Sequence, residues 1–302
     1  MSNTPSAAVA VKHATFLSPL PLFFVLLWSS GFIVAKFGLP YAPPLTFLVM
    51  RFLGVLLFLV PAVLLLKAPW PHGKIWQIAL AGLLVQAGYL VGVWCAIKLG
   101  MPAGLSALIV GMQPILTAFA APLIGEKVLP RQWLGLVFGL AGVGLVVAAK
   151  IKLTGLPVDA ILLCVLALLS ITAGTLYQKR HCPQFDLRTG TVIQFAASLV
   201  VVLPLAVFFE GLTPDFAAVQ WTPRFIGALL WSVMGLSIGA IFLLFALIRR
   251  SDATQVTSLL YLTPPTTAVM AWLMFGEAFN ALGIAGMVLA VTGVIFVVKK
   301  TK

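Results

Sequence analysis

The stretch LVMRFLGVLLFLVP, Leu48 to Pro61, holds a single charge, Arg51. A guanidinium stays protonated at any physiological pH, so it cannot leave an apolar run by neutralising. At the centre of a bilayer it costs about 2.5–3.5 kcal/mol on insertion scales. Something must solvate it, and three arrangements would do so. The side chain could snorkel outward along its own helix. It could bond main-chain carbonyls freed by a proline, as Pro114 frees that of Val110. Or it could face a polar cavity and attract an anionic group such as a carboxylate.

A softer set of polar and aromatic residues accompanies it. The spacing of Gln86, Tyr89 and Trp94 puts them broadly along one face of a helix. Trp28, Ser106, Gln113, Tyr177, Gln194, Trp231 and Tyr261 are polar or aromatic residues in other apolar runs that could join them. Aromatic walls with a few amide groups suit a moderately apolar zwitterion. The same residue types also serve helix packing and interfacial belts. The candidate binding set is therefore Arg51, Gln86, Tyr89, Trp94, Gln113, Tyr177, Gln194, Trp231 and Tyr261. Glu126 and Glu277 sit at helix ends beside Gly125 and Gly276, where capping, a loop bond or a gating contact is expected. Pro114, Pro265, Pro61 and Pro204 are expected to interrupt or bend their helices.

Catalytic chemistry finds no support. There is no HExxH, GxSxG, P-loop or dinucleotide fingerprint, so no cofactor is expected. His13, His72 and His181 fall in terminal or loop segments. Cys95, Cys164 and Cys182 lack metal-type spacing and read as small hydrophobes. An enzyme acting on lipid would need a cluster of polar groups at one membrane face, and the sequence offers none.

The elements that must hold these residues follow from composition. Of 302 residues, 62% are hydrophobic and 9% charged, with a mean hydropathy of +1.13. Ordinary soluble domains carry about 25% charged residues. The chain is predicted to be an all-α polytopic membrane protein with the lipid bilayer as its solvent. The net charge of +12 is spread in small groups between apolar runs, which points to topology and away from nucleic acid. A span needs about 20 residues, and ten runs qualify: 20–39, 45–66, 75–97, 103–124, 133–149, 160–177, 191–209, 225–248, 253–275 and 281–298. With the N-terminus inside, 13 of the 19 Lys and Arg residues fall on the cytoplasmic side and five outside. This predicts cytoplasmic termini.

The chain also repeats itself. PILTAFAAPLIGEKVLPRQWLGLVFGLAGV, from Pro114, matches PTTAVMAWLMFGEAFNALGIAGMVLAVTGV, from Pro265, at an offset of 151. Earlier helices align at an offset of 143, which sets Gly31 on Gly174, Pro61 on Pro204 and Arg51 on Gln194. The units are a tail at 1–19, a first repeat at 20–150 and a second at 151–302. Five helices per unit is odd, so the second unit enters the membrane from the opposite side. Inverted repeats of this kind characterise many secondary transporters. The glycines Gly135, Gly139, Gly142 and Gly144, with Gly283, Gly286 and Gly293, allow close helix approach. They could bind the two halves together or form a homodimer contact.

Ten spans, the LLWSSGFIVAKFG opening, the Arg51 helix and the twice-used P-x11-E followed by LGLVFGLAGVGLVV resemble the EamA family of the drug/metabolite transporter superfamily, over about residues 20–300. The second repeat departs in having Gln194 for Arg51, and its opening SITAGTLYQKR lacks a counterpart of Trp28. The resemblance implies a 5+5 inverted repeat in a bacterial inner membrane, with a central cavity open alternately to each side. It also implies a small-molecule substrate. Family members export amino acids and other small metabolites, and some import solutes. Export of amino acids or related metabolites is the expectation, with nucleosides, drugs or sugar derivatives as the alternative.

Overall fold

The computed structural model describes residues 19–101, 106, 109–125, 127–148, 157–182, 184–250, 253–275 and 281–298. The described residues are helical with no strand. In chain order the helices are α1 (Pro19–Gly38), α2 (Pro44–Leu65) and α3 (Ile75–Lys98), then α4, which ends in the pieces Gln113–Ala120 and Ala121–Ile124. α5 (Pro130–Ala148) closes the first five. The second five are α6 (Val158–His181), α7 (Leu187–Glu210), α8 (Pro223–Trp231, Ser232–Ala240 and Ile241–Arg250), α9 (Ala253–Ser258, Leu259–Leu262 and Thr263–Phe275) and α10 (Ala281–Val298). Five of these, α2, α3, α6, α7 and α8, are each long and apolar enough to cross a bilayer. Their outward faces are greasy: Leu57 is 72% exposed, Phe208 82% and Leu162 62%. Water would not tolerate such a surface, and lipid requires it.

Four helices depart from regular winding, and they do so in matched pairs. α3 widens to a π turn over Leu83–Gly88, and α8 does the same over Ser232–Ala240. α4 is broken by a turn at Gly111 and Met112 before Gln113–Ala120 begins. α9 tightens to a 3-10 segment at Leu259–Leu262 before Thr263–Phe275. Pro114 and Pro265 therefore lie in the first turn of a new helical piece, where the missing N–H costs little. Pro61 and Pro204 differ from expectation. Both lie inside helices that continue past them, in α2 and α7. A proline deletes one backbone bond but need not end a helix whose neighbours restrain it.

Packing joins the two halves at several places. α5 lies along α10 through small residues: a Cβ on Gly142 would meet the Ala290 nitrogen at 2.3 Å, and one on Gly293 would meet the Gly139 nitrogen at 2.4 Å. These glycines bind half to half within one chain. α2 and α7 pair over their length, with Phe52 and Phe195 in edge contact at 5.4 Å. α3 packs on α6 and α7, and α8 packs on α1 and α2, so each repeat's third helix sits between the first two of the other.

The α2–α7 pair is stapled at both ends. At one end the Glu210 carboxylate accepts from Leu45 N (2.8 Å), Thr46 N (2.7 Å) and Thr46 Oγ1 (2.8 Å), and so caps α2 from the last residue of α7. At the other end Thr189 Oγ1 donates to the Pro69 carbonyl at 2.9 Å. Thr46 and Thr189 correspond at the 143 offset. Basic residues brace the face that carries most of the cations. Lys179 Nζ donates to Ile248 O (2.8 Å), Arg180 to Leu123 O (2.9 Å), Arg131 to Phe296 O (3.0 Å) and Arg249 to Phe185 O. Three of the four acceptors lie at or near helix C-termini, where cations are favoured.

Candidate functional site

A cavity lies between the halves, walled by Trp28, Gly31 and Ala35 of α1, Arg51 of α2, Gln86, Tyr89 and Trp94 of α3, and Leu236 of α8. α3 supplies the longest wall because its π turn sits midway along it. An over-wide turn shifts the residues beyond it around the axis, and here Gln86 is in the turn while Tyr89 and Trp94 follow it. α8 matches this: Ser237 is in its own π turn.

Arg51 is only 4% exposed, and its Nε donates to Ser237 Oγ at 2.7 Å. Among the described residues no carboxylate pairs with it. It does not snorkel, and Ser237 of the opposite repeat, not a main-chain carbonyl, accepts its hydrogen bond. Arg51 lines the cavity, and the serine hydroxyl that accepts from it is a partner none of the three sequence alternatives named. Gln86 is fully buried, and neither its Oε1 nor its Nε2 has a protein partner. Aromatic rings enclose these two groups. Trp28 stacks on Tyr89 at 6.0 Å and 12° between planes, and Trp94 stacks on Phe47 at 4.6 Å. The room open to water centres is about 50 Å³. That admits a few waters, each needing roughly 10–15 Å³ on this measure, and is far too small for an amino acid.

Four of the nine candidate residues thus meet on one wall, and five lie elsewhere. Tyr177 stacks on His181 at 4.3 Å. Trp231 is half-exposed and donates to Ser30 Oγ at 2.8 Å, so it ties α8 to α1. Gln194 donates to Gln178 Oε1 at 3.1 Å, and its backbone lies so close to Gly82 that a Cβ there would come within 2.5 Å. It occupies the place of Arg51 in the second repeat but serves the contact between α7 and α3.

Gln113 and Tyr261 belong to a second polar region. Gln113 donates weakly to Thr175 Oγ1 (3.4 Å) and leaves its Oε1 unpartnered. Thr117 Oγ1, Tyr261 Oη, Thr263 Oγ1 and Ser29 Oγ are also buried without a partner. They sit at or near the breaks in α4 and α9, which pack on each other, with α1 against α9. Glu126 and Glu277 lie outside the described residues. Trp28 completes the first wall, and Ser237 holds Arg51 in it. Trp28 was legible as an aromatic in a span, while Ser237 carried no signal. No group of three or more possible metal ligands occurs among the described residues.

The EamA-like transporter family model matches residues 19–148 and again 159–299. The chain belongs to this family. The two matches fall on the two sets of five helices, which gives the all-helical 5+5 inverted repeat. This EamA-like transporter is 31% identical over 288 residues to the uncharacterized transporter YvbV of Bacillus subtilis, covering 93% of this chain and 90% of that one. It is 27% identical to a probable amino-acid metabolite efflux pump of Salmonella typhimurium, covering 91% and 92%. It is 28% identical to the uncharacterized inner membrane transporter YedA of Escherichia coli K12, covering 88% and 87%. A crystal structure titled only as a protein superposes with a TM-score of 0.75 at 17% identity, over 92% of this chain and 95% of the other, and supports the fold. The protein is thus a multi-pass membrane transporter of EamA type, and its family and relatives are transporters, not enzymes.

Proposed function

We propose that this transporter exports amino acids or related small metabolites across a bacterial inner membrane by alternating access, with Arg51, Gln86, Tyr89 and Trp94 in contact with the solute. The observation that carries the reading is the buried, carboxylate-free Arg51 beside the unpartnered Gln86 amide, on a wall shared by both repeats. Groups so expensive to bury are retained where they meet a solute. Two relatives carry names that fit, one an efflux pump for amino-acid metabolites and one an inner membrane transporter.

The second polar region supports the alternation. Unpartnered buried atoms at the breaks of α4 and α9 each cost about 1–3 kcal/mol, and opening the bundle on that side would wet them. Discontinuous helices near the repeat interface are where transporters of this build place their sites. Both termini are read as cytoplasmic from the distribution of Lys and Arg. A reporter fused after Lys302 tests that orientation.

The decisive experiment uses proteoliposomes. Screening metabolites by thermal stabilisation finds a ligand. Saturable counterflow of that ligand is then expected, with Arg51→Gln inserting normally but losing affinity by tenfold or more. Unsaturable flux, or an Arg51→Gln variant that transports as well as the parent, would sink the reading.

A further inference from the structure

The cavity wall carries one formal charge, and among the described residues no carboxylate balances it. Asp159 begins α6, Asp186 caps α7, Glu210 caps α2 and Asp215 lies between α7 and α8. The remaining acids of the sequence, Glu126, Asp252 and Glu277, lie outside the described residues. Around Arg51 stand the Gln86 amide, the Ser237 hydroxyl, aromatic faces and small apolar residues.

We infer that the preferred solute is an organic monoanion with an apolar or aromatic body, such as an amino-acid derivative whose amino group is acylated or absent, and not a free zwitterion. This rests on the cavity being the transport site. The reason is the net charge of the loaded cavity. A zwitterion adds none, so the charge on Arg51 stays uncompensated, and its ammonium enters beside a like charge with no carboxylate among the described residues to receive it. A monoanion brings the loaded cavity to zero net charge. Its carboxylate takes the guanidinium nitrogens that Ser237 leaves free, in the forked geometry that Arg offers. The Gln86 Nε2 can donate to the same group. Trp28, Tyr89 and Trp94 take the body, which explains three aromatic side chains around two polar ones. A neutral loaded carrier also reorients without moving charge through the low-dielectric core, while the empty carrier returns with Arg51 charged.

Three probes with one skeleton separate the possibilities: 3-phenylpropionate, phenylalanine and 2-phenylethylamine. Binding to the purified full-length protein in detergent is followed by melting temperature and tryptophan fluorescence. The propionate is expected to bind at least tenfold more tightly than phenylalanine, and the amine not at all. Arg51→Gln should erase that ranking. Gln86→Glu, which sets an acid beside Arg51, should invert it in favour of phenylalanine, and so keeps the idea exposed if Arg51→Gln fails to fold. If phenylalanine binds as tightly as the propionate or more so, and loses binding in Arg51→Gln, the monoanion inference is overturned while the cavity reading stands. If none of the three binds, or the ranking survives in both variants, both fall.

Discussion

At the scale of single residues, Arg51 was conspicuous from the sequence and its partner was not. A cation in an apolar run announces a solvation problem, but the run does not say which of three solutions applies. Ser237 is the answer, and it lies 186 residues away on the other repeat. Serines are common in membrane helices, and only tertiary structure separates this one from those that merely pack. Ser237→Ala is expected to insert but to melt below the parent, because the buried Arg51 Nε loses its acceptor. It should free Arg51 Nε and weaken solute affinity about tenfold, since hydrogen bonds to charged groups contribute roughly 1.5–3 kcal/mol. A rise in KM at constant kcat in proteoliposomes is the readout. Gln86, Tyr89 and Trp94 were legible together because helical spacing on one segment is a local property. Trp231 and Tyr177 satisfied the same composition argument and packed elsewhere, because being aromatic in a span does not fix which neighbour a side chain faces.

At the scale of elements, the count and rough limits of the spans were visible in hydropathy, while their irregularities were not. π turns and helix breaks arise from how neighbours press on a backbone, and Leu83–Gly88 reads in sequence as ordinary apolar helix. Pro114 and Pro265 did point to two of the four breaks. Glu210 escaped notice because it looks like a solvated helix end, yet it caps α2 with three contacts of 2.7–2.8 Å. Glu210→Gln keeps one oxygen but loses the charge and turns a donor toward donors. A loss of about 1–2 kcal/mol is expected, in the range of lost caps, read as a lower melting temperature. Asp186 gives the companion case outside the spans. Its hydrogen bonds with Arg188 hold its carboxyl below the usual carboxylate range. A depressed acid stabilises fully above its unfolded pKa of about 4 and loses that contribution as pH falls through its folded value. Asp186→Asn should therefore melt below the parent at pH 6, and the two curves should converge as the pH falls through the depressed folded value.

At the scale of the whole molecule, the duplication was readable and the use made of it was not. Matching glycines and prolines gave the two units, and an odd number of crossings inverted one against the other. What the sequence left out is that symmetry places different residues in equivalent seats: Arg51 lines the cavity between the halves, while Gln194 seals a helix contact against Gly82. The paired π turns have a consequence of their own. Such a turn houses one residue more than a regular coil of equal rise. Excising Ala87 lets α3 wind evenly, and the residues past the cut keep their bearing because the wide turn had absorbed the one removed. Tyr89 and Trp94 would still face the guanidinium, while Gln86 loses the irregular backbone that presents it. The shortened protein is expected to reach the membrane in normal amounts, by blot of the purified fraction, and to keep the aromatic part of its solute binding.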